Sequence, residues 1–212
     1  EEKTPPPQSH TYIDKYDPYP FVGSINYADG GRLIGSGVLI SPNLVLTAAH
    51  VVNEKGEVTY VETDGDVYCV NEVIYYPDYD SKTLSHDIAI LVLDGVSDEA
   101  PVELFDFSKD RIYKKKKLRT IGYGTGRKRY SNYGFFWYYG RLITNPQYMI
   151  MLPLKATIWF GDSGGAVITM DGKLIGIMSY FSTTENGLIF ENASCSVEFY
   201  RKWIEDIKWK KD

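Results

Sequence analysis

Short apolar runs alternate with turn-forming clusters along this chain, and helical spacing is rare. Residues 20–26, 32–40, 43–47, 57–62, 66–76 and 88–93 each read as a strand, punctuated by Asp29-Gly30-Gly31, Asp64-Gly65 and Asp94-Gly95 as turn signals. A second set covers 117–123, 134–144, 147–153, 165–170, 173–181 and 188–197, with Asp171-Gly172 as a tight hairpin link. The polar, charged stretch 94–116 reads as a crossover between the sets. Ala48 to Val52 reads as a single helical turn. Phe199, Trp203, Ile204 and Ile207 recur at helical spacing and predict a terminal helix over 198–209. Two batches of about six short strands predict an all-β fold: two packed six-stranded antiparallel Greek-key β-barrels with a C-terminal α-helix. The expected organisation is a Pro-rich, irregular tail over 1–18 and one domain over 19–212. Its first barrel spans about 19–100, its second about 117–197, and its helix about 198–209.

Composition narrows the function classes. A chain of 212 residues and 24.1 kDa can bury a substantial core. Its 18 tyrosines suit β-structure and a large contact surface. The net charge of −5 gives no electrostatic ground for nucleic acid as a partner, and the run Lys114-Lys115-Lys116-Lys117 reads as a solvated linker. No stretch approaches 18 apolar residues, so no membrane span is expected. The opening Glu1-Glu2-Lys3-Thr4-Pro5-Pro6-Pro7 reads as an exposed tail left after processing, from which a secreted or periplasmic protein is expected. Cys69 and Cys195 leave two options open, one bridge or two buried free thiols.

Three short contexts carry the chemistry: Thr47-Ala48-Ala49-His50, Asp87-Ile88-Ala89-Ile90-Leu91 and Gly161-Asp162-Ser163-Gly164-Gly165. Nucleophilic catalysis by a hydroxyl needs an imidazole to take its proton and a carboxylate to orient that imidazole. His50, Asp87 and Ser163 supply these groups. Small residues beside His50 leave the ring room to face a cleft. Asp87 stands at the mouth of a buried strand, and the glycines around Ser163 permit a sharp turn. The plainer alternatives are a buried core histidine and a glycine-rich turn between strands. His86 is expected to face outward, and His10 lies in the tail.

The order His, Asp, Ser resembles that of the trypsin/chymotrypsin family of serine proteases, and the resemblance runs from about Tyr19 to Trp203. Tyr19 to Ile25 is similar to the family's first strand, and Gly35 to Leu46 to the hairpin that delivers the histidine. Gly122-Tyr123-Gly124 resembles the opening of the second half, Ser179-Tyr180-Phe181 its Ser-Trp-Gly, and Val197, Tyr200, Trp203 and Ile204 its closing helix. The separations between the three residues are short for the animal enzymes, and Val51 stands where those place a cysteine. Both features resemble bacterial members with few disulfides.

By this resemblance His50 is the general base, Asp87 its orienter and Ser163 the nucleophile, with the N–H groups of Gly161 and Ser163 as the oxyanion hole. No cofactor or metal is implied. The implied partner is a polypeptide substrate and the implied state a monomer. Thr157 corresponds to the floor of the primary pocket, and Ser179, Tyr180 and Phe181 to its wall and to the backbone that pairs with an extended peptide. Thr157 is not acidic, Met178 stands where glutamate-specific relatives carry histidine, and Phe181 narrows or closes the pocket. A small or neutral residue at the cleavage site is therefore expected.

Asp162 corresponds to an acid that pairs with a new N-terminal amine in the animal enzymes. The expectation here is an internal cation, Arg127 first and Arg129 second. The aromatic run Gly134 to Tyr139 is expected in part to contact a partner or border the cleft. The leading functional reading is an active serine endopeptidase. The rivals are a latent or inactive binding module with Phe181 across the pocket, and an esterase using the same three residues.

Overall fold

Alternate residues of the central strands point into different cores, and this organises the molecule. The computed structural model describes residues 10–13, 16–53, 57–61, 65–110, 116–131, 134–139, 148–152, 158–183, 185 and 189–211. In chain order the first elements are β1 (His10–Tyr12), β2 (Val22–Tyr27), β3 (Leu33–Ser41), β4 (Leu44–Thr47), α1 (Ala49–Val52), β5 (Val58–Val61), β6 (Val67–Tyr75) and β7 (Ala89–Leu93). After the crossover come β8 (Lys117–Gly122), β9 (Arg129–Ser131), β10 (Gly134–Tyr139), β11 (Tyr148–Leu152), β12 (Ala166–Thr169), β13 (Leu174–Thr183), β14 (Ile189–Ser196) and α2 (Val197–Lys211).

Strands β2-β3-β4-β7-β6-β5 close a barrel in that order. In the second sheet, β8-β10-β11-β14-β13-β12 form a ring because β12 pairs back to β8. β9 adds to the Ile121–Gly122 end of β8, and β1 adds to β9. The two-barrel expectation and the closing helix agree with this architecture.

The strands that carry the site are buried on both faces, so they read as continuous apolar runs. Leu39, Val45, Ala89 and Leu91 fill the first barrel, while their neighbours Val38, Ile40, Leu44, Leu46, Ile88 and Ile90 turn outward. These outward residues meet Ile121, Ala166, Ile168, Ile177 and Ala193 of the second sheet in one inter-barrel cluster. Phe105, Leu118, Ile158, Val167, Ile175 and Met178 form a third cluster inside the second sheet. Helix α2 lays Val197, Tyr200, Ile204 and Ile207 on one face against the inter-barrel cluster. Glu198 in its first turn and Lys208, Lys210 and Lys211 in its last complement the helix dipole.

The tail expected to be irregular contributes a strand. β1 pairs antiparallel with β9 in the register His10↔Ser131, Thr11↔Tyr130 and Tyr12↔Arg129. Three polar residues per strand are too few to show an alternation, and the pairing is held by backbone and by contacts far along the chain. Cys69 is exposed on β6 and Cys195 is buried on β14, and both are free thiols. Among the described residues no helix is long and apolar enough to cross a membrane.

Candidate active site between the barrels

His50 is fixed by its own backbone as well as its ring. Its N–H donates to Asp87 Oδ1 at 2.8 Å, and its Nδ1 lies 2.7 Å from Asp87 Oδ2. α1 follows β4 directly, so the β4–β7 pairing, with Thr47 opposite Ala89, brings the helical turn beside Asp87. Asp87 is fully buried. A buried carboxylate is tolerable only when hydrogen-bonded, and a third donor, the Ser179 hydroxyl, reaches Oδ2 at 2.5 Å. That aim follows from a bulge: the β13–β14 register shifts between Met178 and Tyr180, leaving Ser179 as the extra residue. The Asp87 carbonyl accepts from the Cys195 thiol at 3.2 Å. Burial, with the Asp87 charge beside it, pushes the Cys195 thiol well above its ordinary pKa and keeps it a donor.

His86 does not face outward as expected. It is half-buried, stacks on Tyr76 at 5.0 Å, and its Nδ1 lies 3.1 Å from the Tyr200 hydroxyl. Its φ of 54° is left-handed, which turns the chain so that ring and Asp87 point to different sides. The aromatic nest joins Tyr76 to Tyr200 and Phe199 of α2, which come from the far end of the sequence, with Phe199 5.8 Å away.

Ser163 sits in a turn framed by Gly161 and Gly164, with φ of 96° and 83°. A Cβ at Gly164 would lie 2.1 Å from the Ser36 carbonyl oxygen, so only glycine fits there. The Phe160 carbonyl accepts from Thr125 N at 3.4 Å, and the Asp162 carbonyl from Gly165 N at 2.8 Å. In a trans peptide the N–H opposes the C=O. The N–H groups of Gly161 and Ser163 therefore point away from those anchored carbonyls. Ser36, for which the sequence predicts no role, pins the same turn. Its N–H donates to the Ser163 carbonyl at 2.8 Å, and its hydroxyl donates to the Gly161 carbonyl at 2.7 Å while accepting from Tyr123 N at 2.9 Å. The only available signal was a serine between two glycines in an apolar strand. The Ser163 hydroxyl donates to the Ser179 carbonyl at 3.3 Å.

Asp162 is paired with Arg129, not Arg127. The guanidinium lies 2.6 Å from Oδ2, and both side chains are 4% exposed. Gly124 N donates to Oδ1 at 2.6 Å and Trp159 N to Oδ2 at 2.9 Å. Burial pushes the Asp162 carboxyl up, and Arg129 with the two N–H groups pulls it down. Arg127 instead lies over the Tyr12 ring, 5.0 Å from its centroid. The strand boundary separates the two arginines: Arg129 lies within β9, whereas Arg127 precedes it at the end of the 124–126 turn.

Beside the Ser163 turn, Trp159 and Phe181 stack face to face at 5.7 Å with 9° between their planes. Phe160, 74% exposed, caps the pair edge-on, also 5.7 Å from Phe181. Tyr180 packs against the inter-barrel cluster. Thr157, Lys114 and Lys115 lie outside the described residues, as do the side chains of the aromatic run 134–139. Among the described residues, no group of three or more His, Cys, Asp or Glu side chains could hold a metal ion.

A family model described as Trypsin matches residues 11–204. The chain is 28% identical over 166 residues to a probable periplasmic serine endoprotease DegP-like from Halomonas elongata, covering 78% of this chain and 33% of that protein. It is 24% identical over 204 residues to granzyme M from Rattus norvegicus, covering 81% and 78% of the two chains. It is 32% identical over 95 residues to a trypsin from Saccharopolyspora erythraea, covering 41% of each. The chain thus spans about a third of the DegP-like protein and most of granzyme M.

Proposed function

This chain belongs to the trypsin family, and from that premise we propose that it is a serine endopeptidase working through an acyl-enzyme. The observation that carries the reading is the buried Asp87 carboxylate holding His50 by both backbone and ring. His50 Nε2 takes the proton of Ser163 as Oγ attacks the peptide carbonyl. Asp87 holds the ring tautomer and stabilises the imidazolium, and the Gly161 and Ser163 N–H groups receive the oxyanion. His50 then protonates the leaving amine, and water repeats the sequence to release the acyl group. In the free enzyme the Ser163 hydroxyl rests on the Ser179 carbonyl and leaves it for His50 as attack begins.

The substrate is a polypeptide bound along β13, which runs on to Thr183 after its pairing with β12 ends at Ile177. Phe181, which by the resemblance belongs to the wall of the primary pocket, is stacked on Trp159, and this supports cleavage after a small, uncharged residue. The enzyme acts outside the cytoplasm, in keeping with the periplasmic DegP-like relative, and as a monomer. The same stack favours a second reading, a binding module with an obstructed pocket.

Labelling of the intact chain by a fluorophosphonate, beside Ser163→Ala, decides between them. Labelling that disappears in the variant supports the endopeptidase, and turnover of peptides as well as esters completes it. A wild-type chain that stays unlabelled refutes it and leaves the binding module.

A further inference from the structure

The segment 123–130 has two sides, each occupied by a different part of the chain. Its inner side holds the nucleophile turn. Thr125 N anchors the Phe160 carbonyl, Gly124 N and Arg129 hold Asp162, and Tyr123 N meets Ser36. Its outer side is covered by residues 10–13 and 16–17. The Tyr12 hydroxyl lies 3.0 Å from Thr125 Oγ1, Ile13 N donates to the Lys128 carbonyl at 3.1 Å, and Asp17 forms an ion pair with Lys128 in which both side chains are buried. Tyr12 is also the register partner of Arg129 across β1–β9 and lies under the Arg127 guanidinium. Thr125 adopts φ 73°, a left-handed conformation that a β-branched residue keeps only when its surroundings impose it.

We propose that the N-terminal strand is a built-in activating strap and that Tyr12 is a positioning residue for the proposed peptidase reaction. This inference rests on that reading of the site. Tyr12 holds Thr125 in its left-handed conformation. Thr125 in turn holds the Phe160 carbonyl, which fixes the direction of the Gly161 N–H. Arg129, paired strand-to-strand with Tyr12, fixes Asp162 from the other side of the turn. The chain thereby stabilises an oxyanion-binding geometry from the outer face of the second sheet, and anything that strips β1 from β9, by cleavage or by a competing strand, lowers the rate.

The test uses the full 212-residue chain with Tyr12→Ala and Tyr12→Phe. Two measurements are made: the fluorophosphonate labelling rate with active-site titration, and hydrogen exchange of the peptide covering 158–165. Tyr12→Ala is expected to slow labelling about tenfold with the number of titratable sites unchanged. That lies short of the roughly 100- to 1000-fold lost with a whole oxyanion donor. Tyr12→Phe, which keeps the ring under Arg127, is expected to fall between. Exchange over 158–165 is expected to accelerate in Tyr12→Ala while β2–β7 stay protected. A wild-type labelling rate together with unchanged exchange overturns the strap. So does a loss confined to fewer sites, each reacting at the wild-type rate, because that reports partial unfolding. If the wild-type chain itself does not label, the peptidase reading fails, and the exchange result alone decides whether Tyr12 holds the turn.

Discussion

Ser179 and Asp87 meet through a 2.5 Å hydrogen bond from the serine hydroxyl to Oδ2, while the carbonyl of the same serine accepts the Ser163 hydroxyl at 3.3 Å. One bulged residue therefore touches both the Asp87 carboxylate and the Ser163 hydroxyl. A hydrogen bond to a charged group contributes about 1.5–3 kcal/mol. Ser179→Ala is expected to lower kcat/KM roughly 10- to 100-fold with the fold intact. Steady-state kinetics on a peptide substrate checks this, and an unchanged kcat/KM would mean that the two donors from His50 suffice.

The Arg129–Asp162 pair predicts a sharp contrast between neighbouring arginines. Removing one partner of a buried ion pair typically costs about 3–5 kcal/mol, so Arg129→Ala should lower the urea unfolding free energy by that amount. Arg127→Ala removes a cation contact with the Tyr12 ring, worth about 0.5–1 kcal/mol at an exposed site. Denaturant titration of the two variants separates them, and a larger loss for Arg127→Ala would contradict the pairing.

The stacked Trp159 and Phe181 rings predict a cleavage preference that can be relaxed. Phe181→Gly leaves Trp159 without its face-to-face partner and opens the space beside it. Peptides with Leu or Phe at the cleaved residue should gain at least about tenfold in kcat/KM relative to Ala peptides, the scale on which apolar pockets discriminate side-chain size. Profiling a peptide library with both proteins measures this. Identical profiles would remove the stack from any role in selection.

Tyr123 supplies a pH signature. Burial, with Asp17 nearby, pushes its phenol up to about 12 from an ordinary 10.0. The folded state thus holds the phenolic proton through a range in which the unfolded chain has lost it. Stability from this group is complete below pH 10 and falls as pH rises towards 12. Urea unfolding at successive alkaline pH values should show this decline, and Tyr123→Phe should flatten it. An equal slope in both proteins would assign the alkaline loss to other groups.

Most of the architecture was legible because strand-forming runs and Gly-containing turns are local signals. The runs containing Leu44 to Leu46 and Ile88 to Leu91 were readable as buried strands, and the contexts of His50, Asp87 and Ser163 were readable as a set. What escaped depends on contacts distant in the chain. β1 and β9 are three residues each and exist through pairing with one another and with β8. Arg129 takes Asp162 from 33 positions away, and no local pattern separates it from Arg127. Ser36 acts on Gly161 across 125 positions. The inward placement of His86 depends on a nest that Tyr76 and α2 build from elsewhere in the chain.

The division of β3, β4 and β7 between a barrel interior and the seam with the second sheet has a consequence for how the molecule comes apart. A severed first barrel would present Val38, Ile40, Leu44, Leu46, Ile88 and Ile90 to water as one oily face. Neither half is then an independent folding unit, and global unfolding should be all-or-none. Asp87 and Ile88 are consecutive residues, so the carboxylate is placed by the same closure that hides the seam. Placement of Asp87 and cooperativity should then be a single equilibrium, with no half-folded population in which His50 and Asp87 are already paired.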